Sequence, residues 1–252
     1  MKQNEILLNF QPNGNGHTHK NGHAHHCEHQ PDHSIEALID QIGDEHIATS
    51  CDTPLRADAF AIDDATKIAK IEEHFRQIME ILGLDLTDDS LRGTPHRVAK
   101  MYVKEIFSGL NPVNKPAVKL FDNKFQYGEM LVERDITFYS NCEHHFVPIF
   151  GRAHVAYISS GKVIGLSKLN RIVQYFARRP QVQERLTNQI AIELQQVLQT
   201  EDVAVLIDAT HMCVCSRGVQ DVNSTTVTSF YGGKFRQEAV RSEFLKYVYQ
   251  KA

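Results

Sequence analysis

The sequence lacks long apolar runs, and none approaches the roughly 18–20 apolar residues that a membrane span requires. Its first ten residues lack the basic-then-apolar order of a signal peptide. Cysteine is scarce and odd in number, at five, which argues against a disulfide framework. These absences predict a cytoplasmic protein with no membrane partner, whose free thiols are available as metal ligands or nucleophiles.

An excess of one charge is also lacking outside the N-terminal segment. Residues 1–61 contain three basic and nine acidic residues, whereas the rest of the chain contains 24 basic and 22 acidic residues. A nearly neutral chain creates no global field that would attract nucleic acid, and no nucleic-acid partner is expected. Any anion site must therefore be a local cluster of cations.

Residues 1–61 predict a disordered, histidine-rich extension, because seven histidines fall between positions 17 and 33 and few apolar residues recur. A short helix over residues 34–42 fits its apolar spacing. Cys27-Glu28-His29 is interpreted as coincidental or as part of a loose metal-binding tract. The extension either holds zinc for a site elsewhere or is dispensable, and zinc loading after deletion of residues 1–60 separates these hypotheses.

Order is expected from about residue 62. Apolar residues at three- and four-residue steps predict a helical region over residues 62–118, with helices at 68–82 and 94–107. Residues 119–252 predict the catalytic domain, in the order strands 130–139 and 149–158, helices 168–177 and 182–198, strands 203–209 and 225–230, and helix 238–249. Paired strands with grouped helices favour an α+β fold with an antiparallel sheet.

Two clusters of cysteine and histidine predict a metal site. Cys142 and His145, three residues apart between two strands, can reach one ion, and this donor pair suits zinc. If the strand from residue 203 continues, His211, Cys213 and Cys215 share one face, and either cysteine can be a third ligand. Three protein ligands plus water are typical of catalytic zinc. The alternative is an inert buried cysteine with surface histidines.

Five stretches of the sequence together resemble the GTP cyclohydrolase I family. They are residues 89–102 (DSLRGTPHRVAKMY), 140–146 (SNCEHHF), 163–171 (VIGLSKLNR), 179–186 (RPQVQERL), and 211–213 (HMC) with 217–218 (RG). The resemblance runs from about residue 68 to residue 245, in the family's order, and leaves the histidine-rich extension outside it.

The resemblance implies a tunnelling fold, with antiparallel strand pairs and two helices on one face, and a homodecamer of two pentamers with active sites at subunit interfaces. It implies zinc-dependent hydrolysis of the guanine imidazole ring of GTP, which releases formate and forms 7,8-dihydroneopterin triphosphate, the first step of pterin and tetrahydrofolate biosynthesis. It also implies one zinc per subunit, held by Cys142, His145 and Cys213. Cys215 stands where family members vary.

The resemblance further implies the catalytic residues. His211 would be the acid that protonates N7 of guanine, and histidine titrates in the right range for this task. Because His144 lies beside the expected ligand His145, it is predicted as a second proton-transfer residue, with support of the metal as its alternative. Ser167 would lie beside the ribose, and a helix cap before Lys168 is an alternative that is compatible with that role.

The substrate-binding residues are implied in the same way. Gln183 and Glu184 match the pair that recognises guanine, and Glu143 is expected to contact the substrate. A carboxylate that accepts from guanine N1–H and the amino group rejects adenine. The triphosphate would be bound by Arg97, Lys100, Lys168, Arg171 and Arg217.

Two other functions stay open. A nitrile reductase of the queuosine pathway shares the tunnelling fold but needs a nucleophilic cysteine and a nicotinamide cofactor, and the paired Cys142/His145 and His211/Cys213 motifs argue against it. A non-catalytic metal-binding protein of the same fold would bind zinc and GTP and release no formate.

Overall fold

The protein is described by a computed structural model over residues 50–250. The histidine-rich tract, the helix predicted over residues 34–42 and Cys27 lie outside the described residues. No described helix combines the length and hydropathy of a membrane span.

Two helices form the start of the described chain. Helix α1 (Asp64–Ile81) begins after Asp63, whose carboxylate caps the helix by accepting the backbone N–H of Thr66 at 2.8 Å. Helix α2 (Thr94–Met101) has a proline in its first turn and continues as a π-helical segment, Tyr102–Ile106. The helices predicted over residues 68–82 and 94–107 are confirmed.

The remaining elements of the described residues are seven strands and four helices. The strands are β1 (Leu120–Asp122), β2 (Met130–Cys142), β3 (Pro148–Ile158), β4 (Lys162–Ile164), β5 (Pro180–Gln181), β6 (Val203–His211) and β7 (Thr226–Tyr231). The helices are α3 (Leu166–Ala177), α4 (Gln183–Leu198), α5 (Met212–Cys215) and α6 (Glu238–Tyr249). Short 3₁₀ turns lie at Ser108–Leu110, Pro112–Asn114 and Gly233–Arg236.

Five strands form one sheet in the order β5-β2-β3-β6-β7, and β1 pairs with β4 separately. The pairings β2–β3, β3–β6 and β6–β7 are antiparallel, whereas the short β5 runs parallel to the end of β2. Helices α3 and α4 pack on one face of this sheet. The predicted α+β architecture, with antiparallel strand pairs and two helices on one face, is confirmed.

The main core lies between the sheet and helices α3 and α4. Phe138, Val155 and Ile207 from the strands are at most 1% exposed, as are Ile172 and Ile190 from the helices. Burial of each such side chain contributes about 1.5–3 kcal/mol, which fixes the two helices against the strands. The C-terminal ends of β2 and β6 lie at the same end of the sheet. The packing of the helices therefore also fixes the residues that follow these two strands.

The opposite face of the sheet is covered at one end only. There Phe235 and Phe244 pack against Ala156 and Leu206. Towards the other end the face is open, and Tyr139 is 67% exposed. The candidate site lies at this second end, where β2 stops.

Candidate active site

A tight turn after β2 holds the first predicted ligand. The Cys142 backbone N–H donates to the Val147 carbonyl at 2.8 Å, and the Phe146 N–H donates to the Cys142 carbonyl at 2.9 Å. The Glu143 N–H donates to the Gln181 carbonyl at 3.1 Å, which ties the turn to β5. Backbone hydrogen bonds on both sides therefore fix the direction of the side chains in this turn.

The second predicted cluster begins where β6 ends. His211 is the last residue of β6 and pairs with Ile149 of β3. The expectation that residues 211–215 continue as a strand is wrong, since residues 212–215 form the helical turn α5. Side chains two residues apart on a helix point in different directions, so Cys213 and Cys215 do not share a face. The group of ligands that the structure brings together includes Cys213 and not Cys215.

Cys142, His145 and Cys213 place one donor atom each within 4.8 Å of the other two. The Cys142 Sγ lies 3.9 Å from Nδ1 of His145. Burial and the neighbouring Cys142 thiol raise the pKa of Cys213, because two thiolates cannot easily coexist in this space. A divalent cation between them would offset that repulsion. Two sulfurs and an imidazole nitrogen therefore fit a zinc ion with an open position.

His211 lies beside this group in a restricted orientation. Its Nε2 is 2.7 Å from Oε1 of Gln183, the first residue of α4. Burial lowers the pKa of His211, and the charge of Glu184 opposes this shift. A half-buried histidine next to Cys213 is suited to exchange a proton with a bound molecule.

His144 lies between the first cysteine and an acidic residue. Its Nδ1 is 3.6 Å from Sγ of Cys142, and its Nε2 is 4.0 Å from Oε1 of Glu143. Its side chain is 44% exposed. This position is compatible with both predicted roles, proton transfer and support of the metal.

Arg185 was not predicted as a site residue, yet it binds Glu143. Its guanidinium donates through Nη1 to Oε2 at 2.5 Å and through Nη2 to Oε1 at 3.2 Å, and its Nε donates to the carbonyl of Ser50 at 2.8 Å. The Arg185 side chain is only 3% exposed. Arg185 belongs to the RPQVQERL stretch, which is a signal that could have identified it. An arginine in a helical pattern is, however, more often a charged residue on the surface.

The five predicted phosphate-binding cations come from three parts of the chain, namely α2, α3 and the segment after α5. Arg217 lies next to the group formed by Cys142, His145 and Cys213, with its Nη1 atom 2.8 Å from Nε2 of His145. Arg97 is on α2 together with Lys100, and its Nη2 donates to the Ser90 carbonyl at 3.0 Å and to Oγ1 of Thr94 at 2.8 Å.

Helix α3 contains the three site residues that were predicted from residues 163–171, which are Ser167, Lys168 and Arg171. Arg171 lines a cavity of about 540 Å³ that is also lined by Lys104 and Arg178. Ser167 and Lys168 lie in the first turn. The cap position is Gly165 and Ser167 is already inside the helix, so the interpretation of Ser167 as a helix cap is wrong.

The fold and the site together define a class of protein. It is an α+β protein in which a cysteine–histidine–cysteine group suited to a metal ion lies at the end of a sheet, flanked by two further histidines. Such a group of side chains is suited to bind a metal ion next to residues that can exchange protons.

Comparison with known proteins identifies the family. The family model described as GTP cyclohydrolase I matches residues 71–249. GTP cyclohydrolase 1 of Flavobacterium johnsoniae is 62% identical over 213 residues, which cover 84% of this chain and 96% of that protein. GTP cyclohydrolase 1 of Escherichia coli K12 is 52% identical over 219 residues, which cover 86% and 98%. The chain belongs to the GTP cyclohydrolase I family.

A solved structure, that of the archaeosine synthase QueF-Like in the apo form, overlaps more weakly. It is 15% identical, covers 42% of this chain and 92% of its own, and has a TM-score of 0.33. An overlap of this size carries no argument about function.

Proposed function

We propose that this chain is a GTP cyclohydrolase I, which hydrolyses the guanine imidazole ring of GTP, releases formate and forms 7,8-dihydroneopterin triphosphate. The observation that carries the proposal is the convergence of Cys142, His145 and Cys213 beside His211, within a chain of this family. The reaction would supply a pterin to tetrahydrofolate biosynthesis, and the expected location is the cytoplasm.

The proposed cofactor is zinc, one ion per subunit, bound by Cys142, His145 and Cys213. When bound, zinc lowers the pKa of a water ligand to about 7 and so supplies a nucleophile for C8 of guanine. The convergence of two cysteine sulfurs and one imidazole nitrogen within 4.8 Å of one another supports this choice, because this donor set suits zinc.

The two histidines handle protons in this proposal. His211 donates a proton to N7, which makes C8 electrophilic and allows the C8–N bond to break. His144 accepts or returns a proton as formate leaves. The half-buried position of His211 and the 3.6 Å approach of His144 to Cys142 support these roles, since both rings lie within the same small region.

Recognition of the base and the ribose is assigned to side chains around that region. Glu184 is exposed at the start of α4, where its carboxylate is available to guanine N1–H and the amino group. Glu143 is held by Arg185 at the metal turn and is proposed to contact the substrate. The resemblance implies that Gln183 also contacts guanine, and this contact stays a prediction. Ser167 is proposed to lie beside the ribose.

The triphosphate is assigned to Arg97, Lys100, Lys168, Arg171 and Arg217. Arg217 lies at the metal group, whereas Arg171 lines the separate cavity near Lys104. This distribution supports an assembly in which neighbouring subunits complete each site, and the assembly proposed from the family resemblance is a homodecamer of two pentamers. Light scattering of the purified protein measures that assembly directly.

Incubation of the purified chain with GTP tests the reaction. Formate and the fluorescent oxidised neopterin are expected as products, and Cys213→Ala should abolish both. Cys215→Ala is the matched control, since Cys215 lies outside the ligand group, and it should keep the activity. A zinc-loaded parent protein that binds GTP and releases no formate would establish a non-catalytic binding protein instead.

A further inference from the structure

The side chain of Gln183 joins His211 to the interior of the sheet. Gln183 is 2% exposed, and its amide lies between β6, β7 and the ring of His211. We infer that Gln183 is a positioning residue that fixes one tautomer and one ring orientation of His211, with the Nε2–H directed at Gln183. This inference rests on the proposed catalytic role of His211.

The orientation of the Gln183 amide follows from its surroundings. One end of the amide lies 3.2 Å from the Ile207 carbonyl and 2.8 Å from the Thr226 carbonyl. Carbonyl oxygens only accept hydrogen bonds, so this end must be the donor Nε2. A flipped amide would place Oε1 against both oxygens and leave buried acceptors without a donor, which costs about 1–3 kcal/mol.

The hydroxyl groups of Thr187 and Thr228 independently indicate the same orientation of the Gln183 amide. The Thr187 hydroxyl donates to the Gln183 backbone carbonyl at 2.8 Å, which uses its only proton. The 2.7 Å contact between the Thr187 and Thr228 hydroxyls must then be donated by Thr228. With its proton used, Thr228 Oγ1 can only accept from Gln183, at 3.1 Å. The atom of Gln183 that faces Thr228 is again Nε2.

The consequence for His211 is direct. With Nε2 of Gln183 facing the sheet, Oε1 faces the histidine, 2.7 Å from its ring Nε2. Since Oε1 only accepts, the His211 Nε2 must carry a proton. The Nε2–H is therefore held by Gln183, and Nδ1 is the ring nitrogen that is left for other partners. A histidine without this partner would divide its time between two tautomers and two ring orientations.

This role differs from recognition of guanine in what it predicts. A side chain that binds the base contributes to GTP affinity and to discrimination among purines. A side chain that orients a catalytic histidine contributes to turnover and leaves ground-state binding unchanged. Both ends of the buried Gln183 amide already have partners inside the protein, which favours the second role.

The test compares Gln183→Met with Gln189→Met in the full-length, zinc-loaded protein. Gln189 is a matched control, because it is 5% exposed on the same helix and its Oε1 accepts from Nε2 of Gln181 at 2.9 Å. Gln183→Met should lower kcat about 10- to 100-fold, the usual effect of removing a partner that orients a functional histidine. The Kd for GTP, measured without turnover in the Cys213→Ala background, should change less than about twofold. Gln189→Met should leave kcat unchanged.

Nitrogen NMR of histidine-labelled protein supplies a readout that is independent of activity. At a pH where the ring is neutral, the His211 ring, assigned by loss of its signals in His211→Gln, should show a protonated Nε2 and an unprotonated Nδ1 in the parent and a mixture of tautomers in Gln183→Met. An unchanged ring spectrum in Gln183→Met, an unchanged kcat, or a weaker GTP Kd at constant kcat would each overturn the inference. If the parent releases no formate, the proposed function fails while the tautomer is still read.

Discussion

Arg185 donates two hydrogen bonds to Glu143, from Nη1 to Oε2 at 2.5 Å and from Nη2 to Oε1 at 3.2 Å, and its side chain is only 3% exposed. This paired geometry is the strongest form of ion pair between these groups, and it joins α4 to the turn that carries Cys142. Removal of Arg185 would leave the Glu143 carboxylate partly buried without its partner.

Arg185→Met should therefore lower the free energy of unfolding by about 3–5 kcal/mol. Denaturant unfolding of the assembled protein measures this loss. Lys104→Met serves as the comparison, because the Lys104–Asp64 pair is short at 2.6 Å but its lysine is 50% exposed. That pair should contribute at most about 1 kcal/mol. Equal losses in the two variants would contradict the assignment of Arg185 to the structure of the turn.

Cobalt substitution tests the ligands separately from the histidine-rich extension. Cobalt bound by Cys142 and Cys213 should give thiolate-to-metal charge-transfer absorption, which cobalt bound by histidines alone does not give. Cys142→Ala and Cys213→Ala should each reduce this absorption, and Cys215→Ala should keep it. Full absorption in Cys213→Ala would show that Cys215 or another thiol is the ligand.

The stability of the fold should depend on the protonation of His154. This residue is 5% exposed on β3, and the backbone N–H of Asp135 donates to its Nδ1 at 3.3 Å. Burial lowers the pKa of His154; Asp135 and Asp208 oppose the shift, and Arg134 and Arg152 reinforce it. The native state therefore resists a proton that the unfolded chain accepts near pH 6.5.

Stability from this residue is present in full above about pH 6.5 and is lost as the pH falls from there towards the lower native pKa. The variant His154→Gln should lose less stability than the parent between pH 7 and pH 5, measured as the difference between their denaturant midpoints. His74→Gln, at an exposed position of α1, should follow the parent. Parallel pH profiles for parent and His154→Gln would refute the prediction.

Gly109 is the point where the N-terminal helical region meets α3. Its N–H donates to the Arg178 carbonyl at 2.9 Å, and its carbonyl accepts from Nε of Arg179 at 2.8 Å. A Cβ here would collide with the carbonyl oxygens of Tyr175 and Arg178. Gly109→Ala should lower the free energy of unfolding by about 1–3 kcal/mol or more, because backbone must move.

Gly128→Ala is the control for that substitution. The nearest heavy atom to a Cβ at Gly128 is 4.0 Å away, and the alanine has room. Its thermal midpoint should stay within about 1–2 °C of the parent's, since a change below about 0.5 kcal/mol is expected at such a surface site. A similar loss of stability in both variants would mean that the loss at Gly109 is not caused by a steric clash of the added Cβ.

The helices were predictable because their apolar residues recur along one face. Helix α6 has the bounds predicted for it, residues 238–249, and Pro180 separates α3 from α4 as expected. The period of a strand was equally clear in β2 and β3. These features depend on local sequence, which is why they could be found without the fold.

Other features depend on contacts between distant segments. The two-residue strand β5 is too short to show a period, and it is a strand only because it pairs with Asn141 and Cys142. The turn α5 interrupts a pattern that looks extended. The network at Gln183 depends on the register that places Thr228 beside Thr187, and no local pattern carries that register.

The candidate site was predictable because cysteine is rare in the chain and histidine is rare outside residues 1–61. Cys142 and His145 were paired by spacing, whereas the choice of Cys213 over Cys215 came from the family resemblance. The structure brings Cys142, His145 and Cys213 together. Arg185 escaped prediction because a helical arginine is ordinary until its burial is known.

The short strand β5 has a mechanical consequence. It hydrogen-bonds to the end of β2 on one side and leads directly into Gln183 on the other, and the turn after Cys142 donates to the Gln181 carbonyl. The turn after Cys142 and the partner of His211 therefore share one support that is only a few residues long. A substitution that alters β5 is therefore expected to disturb the turn at Cys142 and the side chain of Gln183 together.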